Sequence, residues 1–278
     1  MNYLPLAHVD EAEQYAVCGI PSSYALMPRG KRPTLAVENV LEYLTGPGQW
    51  AVDTRRRKAY LWPRTEKPEG VVYPCLRQMV LVEGVNDFEG DEDVPVNGLI
   101  FSGLTFMHAD RALWNLTDAG IQHDYELYDK DSALLRFRGA ERCGVERCAF
   151  LHSGGSAIRF DLYAKECFAI GNTIREMGQC GVTVIGHGPG TKDVNQCNAV
   201  VDNEIAEVAA LYTQSPGIVV CQSGRNRIAH NELHDMPRKA ILLTGTRLHM
   251  YQERYRRNQR EVVRAIRWRE IQGPMRVW

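Results

Sequence analysis

"NRIAHNELHD", residues 226–235, sets an asparagine, an isoleucine, a second asparagine and a leucine at Asn226, Ile228, Asn231 and Leu233. This order follows neither the 3.6-residue period of a helix nor the strict alternation of a single strand. The same eight-residue frame occurs as "NAVVDNEI" from Asn198, "CFAIGNTI" from Cys167 and "CGVERCAF" from Cys143. The four starts lie 24, 31 and 28 residues apart, in the range of repeat proteins whose units bury apolar residues only against their neighbours.

Working outward, five β-prone runs share the repeat: "SALLRFRG" from 132, "SAIRFDLY" from 156, "CGVTVIGHG" from 180, "PGIVVCQSG" from 216 and "RKAILLTG" from 238. Registering them on Leu134, Ile158, Val182, Ile218 and Ile241 gives steps of 24, 24, 36 and 23 residues, with loops accounting for the long step. Helices of 10 to 15 residues do not fit between them, so the expected fold is all-β, with parallel strands coiled into a solenoid of six or seven rungs about 4.8 Å apart. Inward columns are then Ile158, Val182, Ile218, Ile241 and Phe150, Ile174, Ile205, Leu233. Asn172, Asn203 and Asn231 stack inside one corner and satisfy backbone groups there, a structural role. A leucine-rich repeat has a similar period, but its L-x-x-L-x-L-x-x-N frame is absent.

Before the repeats, residues 1 to about 35 show no period, while "WAVD" and "AYLWP" flanking "TRRRK" read as a hairpin with a solvated arginine turn. The expected organisation is an irregular and hairpin segment over 1–70 packing on a β-helix over 71–245, then an arginine-rich cap or tail over 246–278. Lysine and arginine (33) nearly balance aspartate and glutamate (34), so no overall field argues for nucleic acid or a membrane surface. No apolar run of membrane-spanning length and no signal peptide is evident, and the chain reads as soluble. The eight cysteines form no CxxC pair. Three of them occupy frame positions that hold asparagine elsewhere, so they read as small buried groups rather than disulfide or metal partners.

The stretches "NVLEYLTGPGQWAVD", "AYLWP", "GLTFMHAD", "SGGSAIRFD", "GHGPGTKDVN" and "QSGRNRIAHNELHDMPRKAI" together resemble the right-handed, single-stranded parallel β-helix proteins among bacterial carbohydrate-active enzymes, in the broad pectate-lyase-like superfamily. The hairpin followed by "GLTF" is most similar to the glycoside-hydrolase-like branch that includes α-fucosidases and xylanases. The resemblance implies a polysaccharide or oligosaccharide substrate held along the outside of the solenoid, outside the cell or in the periplasm, with no cofactor. It also implies acidic catalytic residues on rungs beyond "RKAILLTG". The 33 residues after Gly245 hold nine arginines and no such motif, so the chain is expected to be a shortened relative of weak or no activity, with "QREVVRAIRW" covering the end of the solenoid.

Glycoside hydrolysis needs two carboxyl groups across a sugar. Strand alternation turns Ile158 and Phe160 inward and Arg159 and Asp161 outward. Asp161 is the first candidate, against the alternative of an exposed Arg159/Asp161 pair. The insertion "GHGPGTKDVN" offers His187 and Lys192 for binding and Asp193 as the second carboxylate, or merely as a turn former; it lacks the P-loop pattern. His123 and Asp124, in the loop that also holds Asp129 and Asp131, line one end of the groove, and Gln222 completes the binding set. Trp114, Tyr125, Tyr128 and Tyr212 are candidate sugar platforms. His108 reads as a buried, hydrogen-bonded histidine and Asp235 as a turn cap. A polysaccharide lyase is the competing enzyme, with Lys192 or Arg159 as base and calcium on the uronate; a non-catalytic glycan-binding scaffold is the third reading.

Overall fold

The computed structural model describes residues 4–19, 37–111, 129–188, 190–245 and 265–267. The chain divides into two units, one of Met1–Pro5, Ile20–Tyr24 and Pro74–Val262, the other of Leu6–Gly19, Ala25–Tyr73 and Val263–Trp278. Among the described residues the only helical piece is the short 3-10 turn Leu41–Tyr43.

In the larger unit, from Ile100 the chain enters three sheets in turn, and each return lands parallel to the strand before. The first sheet stacks Ile100–Ser102, Gly144–Glu146, Phe168–Ile170, Ala199–Val201 and Arg227–Ala229. The second stacks Thr105–Met107, Ala149–Ser153, Thr173–Met177, Glu204–Ala206 and Glu232–His234. The third stacks Val80–Glu83, Ala133–Glu141, Ser156–Lys165, Val182–Ile185, Ile218–Cys221 and Ile241–Thr244. Long parallel sheets with almost no helix are compatible with a parallel β-helix, of five to six layers among the described residues.

The register carries both expected columns: Phe150, Ile174, Ile205 and Leu233 are partners in the second sheet, and Ile158, Val182, Ile218 and Ile241 in the third. One partner differs. Ile158 pairs with Leu135, not Leu134. This shift stacks Phe137 on Phe160 in the core, rings 5.0 Å apart, whereas the expected register would have driven Arg136 and Arg138 inward.

The corners explain the uneven opening stretch. Arg142, Glu166, Cys197 and Arg225 enter the first sheet, Arg147, Asp202 and His230 lie between the first and second, and His108, His152, Glu176, Glu207 and Asp235 end the second. All hold φ between 49 and 65°, a left-handed conformation that costs a side-chain-bearing residue about 1–2 kcal/mol. The next residue at the first two corners is a ladder position. At one corner Cys167 N–H donates to Asn198 Oδ1 and Asn198 N–H to Asn226 Oδ1, each at 2.9 Å. At the other, Cys148, Asn172 and Asn203 N–H groups donate in the same way to Asn172, Asn203 and Asn231, at 3.0, 3.0 and 3.1 Å. Asn203 Nδ2 also donates to the carbonyls of Ala169 and Val201, at 2.9 and 3.0 Å. Cys143 and Cys148 accept the Leu99 and Leu104 N–H groups through sulfur. No disulfide joins the eight cysteines, and burial pushes the Cys167 thiol up to about 12, which suits a packing group.

In the smaller unit Trp50–Asp53 and Lys58–Leu61 form the expected antiparallel hairpin. The N-terminal stretch is not irregular throughout: Leu6–Asp10 pairs with Tyr15–Cys18, strands too short to display a period. Ala265–Arg267, within the tail expected to cover the solenoid end, is the third strand of that sheet. Ile241 and Leu243, on the last described strand of the third sheet, are exposed.

Replacing Asn203 with leucine leaves the N–H of Asn172 and two buried carbonyls without their partner. We expect a loss of about 1–3 kcal/mol in denaturant unfolding; an unchanged midpoint would show that the ladder does not stabilise the stack.

Candidate functional site

The outward positions of the third sheet run Leu81, Arg136, Arg159, Thr183, Val219, Leu242 in one column and Glu83, Arg138, Asp161, Ile185, Cys221, Thr244 in the other. Charge is therefore gathered on the early strands, and the later strands carry a second apolar cluster of Cys180, Ile185, Val219 and Cys221. The alternative of an exposed Arg159/Asp161 pair does not hold: Arg159 and Asp161 are 0% exposed and Arg136 is 5% exposed. Alternation fixed which way these side chains point, but not whether that side of the sheet is open.

Burying charge costs several kcal/mol per ion unless partners replace water. Here the partners form one network. Asp161 Oδ2 accepts from Arg159 Nε at 2.6 Å and Arg136 Nε at 2.8 Å, and Arg159 Nη1 reaches Ser132 Oγ at 3.3 Å. Arg136 Nη2 donates to Asp129 Oδ1 at 2.7 Å, and Arg138 binds Asp129 through Nε and Nη2 and Glu83 through Nη1. Burial pushes the Asp129 carboxyl up, but the hydrogen bonds from Arg138 and Arg136 outweigh it and the net shift is down. Asp161 Oδ1 is buried with no hydrogen-bond partner among the described residues. The network meets solvent at Asp129 and Glu83, whose side chains are 29% and 50% exposed.

A second group adjoins it. In the acidic loop after Val80–Glu83, the Asp87 carboxylate gathers the N–H groups of Glu89, Gly90 and Glu92, and Asp87 N–H binds Asp93. So folded, the loop turns the Asp87 and Gly90 carbonyls and the Asp93 carboxylate onto Lys192 Nζ, at 2.8, 2.7 and 2.5 Å. Phe88 of this loop lies edge-on to His187, 5.3 Å between ring centres, and has the Arg138 guanidinium 5.9 Å from its own centre. Asn86 ties the loop to the Arg138 carbonyl and the Tyr163 N–H. His187 is 2% exposed, and its Nε2 has no partner among the described residues. Burial first, and the Lys192 charge second, lower its pKa.

The structure thus brings Arg159 and Asp161 into one network and joins His187 and Lys192 to it through Phe88. Asp193 is exposed in the loop beyond Lys192, whereas the carboxylate that shares a guanidinium with Asp161 is Asp129. Gln222 is half-buried against the same insertion: a Cβ at Gly186 would come within 2.1 Å of the Gln222 carbonyl, so only glycine fits there. His123 and Asp124, with Trp114, Tyr125 and Tyr128, lie outside the described residues. Tyr212 is buried, not a platform for sugar, and His108 is half-buried, stacked on His152 with ring centres 5.6 Å apart. Sequence reasoning missed Arg136, Arg138, Glu83, Phe88 and Asp93. The Arg-x-Arg of "LLRFRG", aligned with the Arg-x-Asp of "AIRFDL", was the available signal.

Among the described residues no group of three or more His, Cys, Asp or Glu side chains is arranged to hold a metal ion. No family model, no curated protein and no solved structure matches this chain.

Lys192→Met removes the cation that pairs with the nearly closed Asp93 carboxylate and the Asp87 and Gly90 carbonyls. It should cost about 3–5 kcal/mol in chemical denaturation, and a change below 1 kcal/mol would mean that water replaces the ammonium. His187 has a folded pKa below its unfolded one, so its contribution is intact above about pH 6.5 and is lost as pH falls through the lowered folded value. Thermal melts should therefore show a smaller acid-side drop in His187→Gln than in the parent chain; identical drops would contradict the assignment.

Proposed function

We propose that this chain is a right-handed, single-stranded parallel β-helix of glycoside-hydrolase-like character that acts on a polysaccharide or oligosaccharide, outside the cytoplasm and without a cofactor. Right-handedness follows the strong preference of parallel strand–crossover–strand connections. The observation that carries the reading is the pair Asp129 and Asp161, two carboxylates bound to one guanidinium, Arg136, on the outer face of the third sheet. Glycosidic cleavage calls for two carboxyl groups in fixed relation. Asp129 stands at the open edge of the network and Asp161 lies wholly buried behind it, so a substrate hydroxyl reaches Asp161 Oδ1 only when the Asp129 edge opens. Buried ionic networks with unused polar atoms are frequent companions of function.

The lyase alternative, with calcium neutralising a uronate, is weakened because both of its candidate bases are engaged: Lys192 by the acidic loop, Arg159 by Asp161 and Ser132. The complete burial of Asp161 against two arginines favours a second reading, in which this network supports the sheet and the chain binds glycan without cleaving it.

The test is turnover of fucosylated and xylan-type glycans by the full chain. Asp161→Asn and Asp129→Asn should each reduce it by roughly a hundredfold or more, with Asp193→Asn near the parent. Turnover insensitive to both substitutions would overturn the assignment, and binding without any turnover would leave the glycan-binding role in its place.

A further inference from the structure

The smaller unit presents a surface that the proposed site does not use. In its hairpin Trp50 is the cross-strand partner of Leu61 and Val52 of Ala59, and alternation places all four on one face. Ala51, which points the other way, is buried, whereas Trp50 is 65% and Leu61 41% exposed. Trp62, next along, is exposed as well. An indole left in water beside an exposed leucine is an aromatic surface with no partner among the described residues.

The platform is stiff. Gly48 N–H to the Trp62 carbonyl and Trp62 N–H to the Gln49 carbonyl close its open end, at 2.7 and 2.9 Å. The Asn39 side chain grips both backbone groups of Val52, as an extra strand would. At the other end Asp53 Oδ1 receives the N–H groups of Arg55 and Arg56 and fixes the turn. That turn carries four consecutive cations, Arg55 to Lys58, all exposed. Among the described residues Asp53 forms its ion pair with Arg56, at 3.7 Å, and the other cations leave the tip positive.

We infer that this hairpin is a binding platform for an acidic polysaccharide: a sugar ring lies against Trp50 and Leu61, and the carboxylates of following units meet the cationic turn. The choice of a glycan rests on the function proposed above; the choice of an acidic one rests on the charge of the turn. Three strand steps separate Trp50 from Asp53, about 10 Å, so the ligand must be extended and span more than one sugar. A bilayer suits this order less well, because the cations stand at the tip and the indole behind them, the reverse of an apolar wedge with charged flanks.

Affinity electrophoresis and calorimetry of the full chain with sodium polygalacturonate, and with uncharged dextran, test the inference. The chain should bind polygalacturonate, more weakly as salt is raised, and not dextran. Trp50→Ala should raise Kd about tenfold, the loss of one stacking contact, with an unchanged thermal melt, and Arg55→Gln with Lys58→Gln should flatten the salt dependence. Equal binding by parent and Trp50→Ala, or no binding, overturns the proposal. So does Trp50-dependent binding to phosphatidylserine vesicles or duplex DNA in preference to the polysaccharide. Turnover at Asp129 and Asp161 without Trp50-dependent binding would sink the platform alone, and Trp50-dependent binding without turnover would sink the hydrolase reading alone.

Discussion

A hydrogen bond from a corner N–H to the side chain one layer further on is the interaction on which the rest of the larger unit depends. A chain that bends three times per layer leaves backbone groups inside each bend that no strand partner can reach. Asparagine and cysteine are short enough to sit in the bend, and asparagine both accepts from one layer and donates to another. The left-handed residue before each ladder position is strained, and most of these residues are not glycine. Buried, charge-free hydrogen bonds worth about 1 kcal/mol each offset that strain, layer after layer.

Once the corners are fixed, so is the direction of every side chain on the strands. Inward columns become the continuous core from Phe101 and Phe106 to Ile228 and Leu233. Outward columns become a record of what successive repeats carry at equal positions, and on the third sheet they collect Arg136, Arg138, Arg159 and Asp161 within two neighbouring strands. No single repeat holds the charged network. It arises from stacking, and the loops at Asp87 and Lys192 are locked to each other beside it.

The period, the ladder, the inward columns and the hairpin were legible because each is a local pattern repeated or punctuated in the chain. The one-residue shift at Leu135 was not, because "ALLRF" offers two adjacent leucines and only the stacking of Phe137 on Phe160 decides between them. For the site, sequence named Asp161, Arg159, His187 and Lys192 and paired Asp161 with Asp193, whereas the carboxylate that shares a guanidinium with Asp161 is Asp129. Asp129 lies 32 residues before it in an irregular loop, and only coordinates show that one guanidinium joins them. The partners of Lys192 are about a hundred residues away, in a loop whose acidity alone was visible.

The structure of the full chain bound to an oligosaccharide from a glycan it binds is the most direct measurement. The account predicts a sugar against Asp129 and Arg136, hydrogen-bonded to Asp161 Oδ1 and entering from the exposed Asp129 edge. A sugar seated on the outer face of the first or second sheet, with the Asp129–Arg136–Asp161 network closed and unchanged, would contradict it.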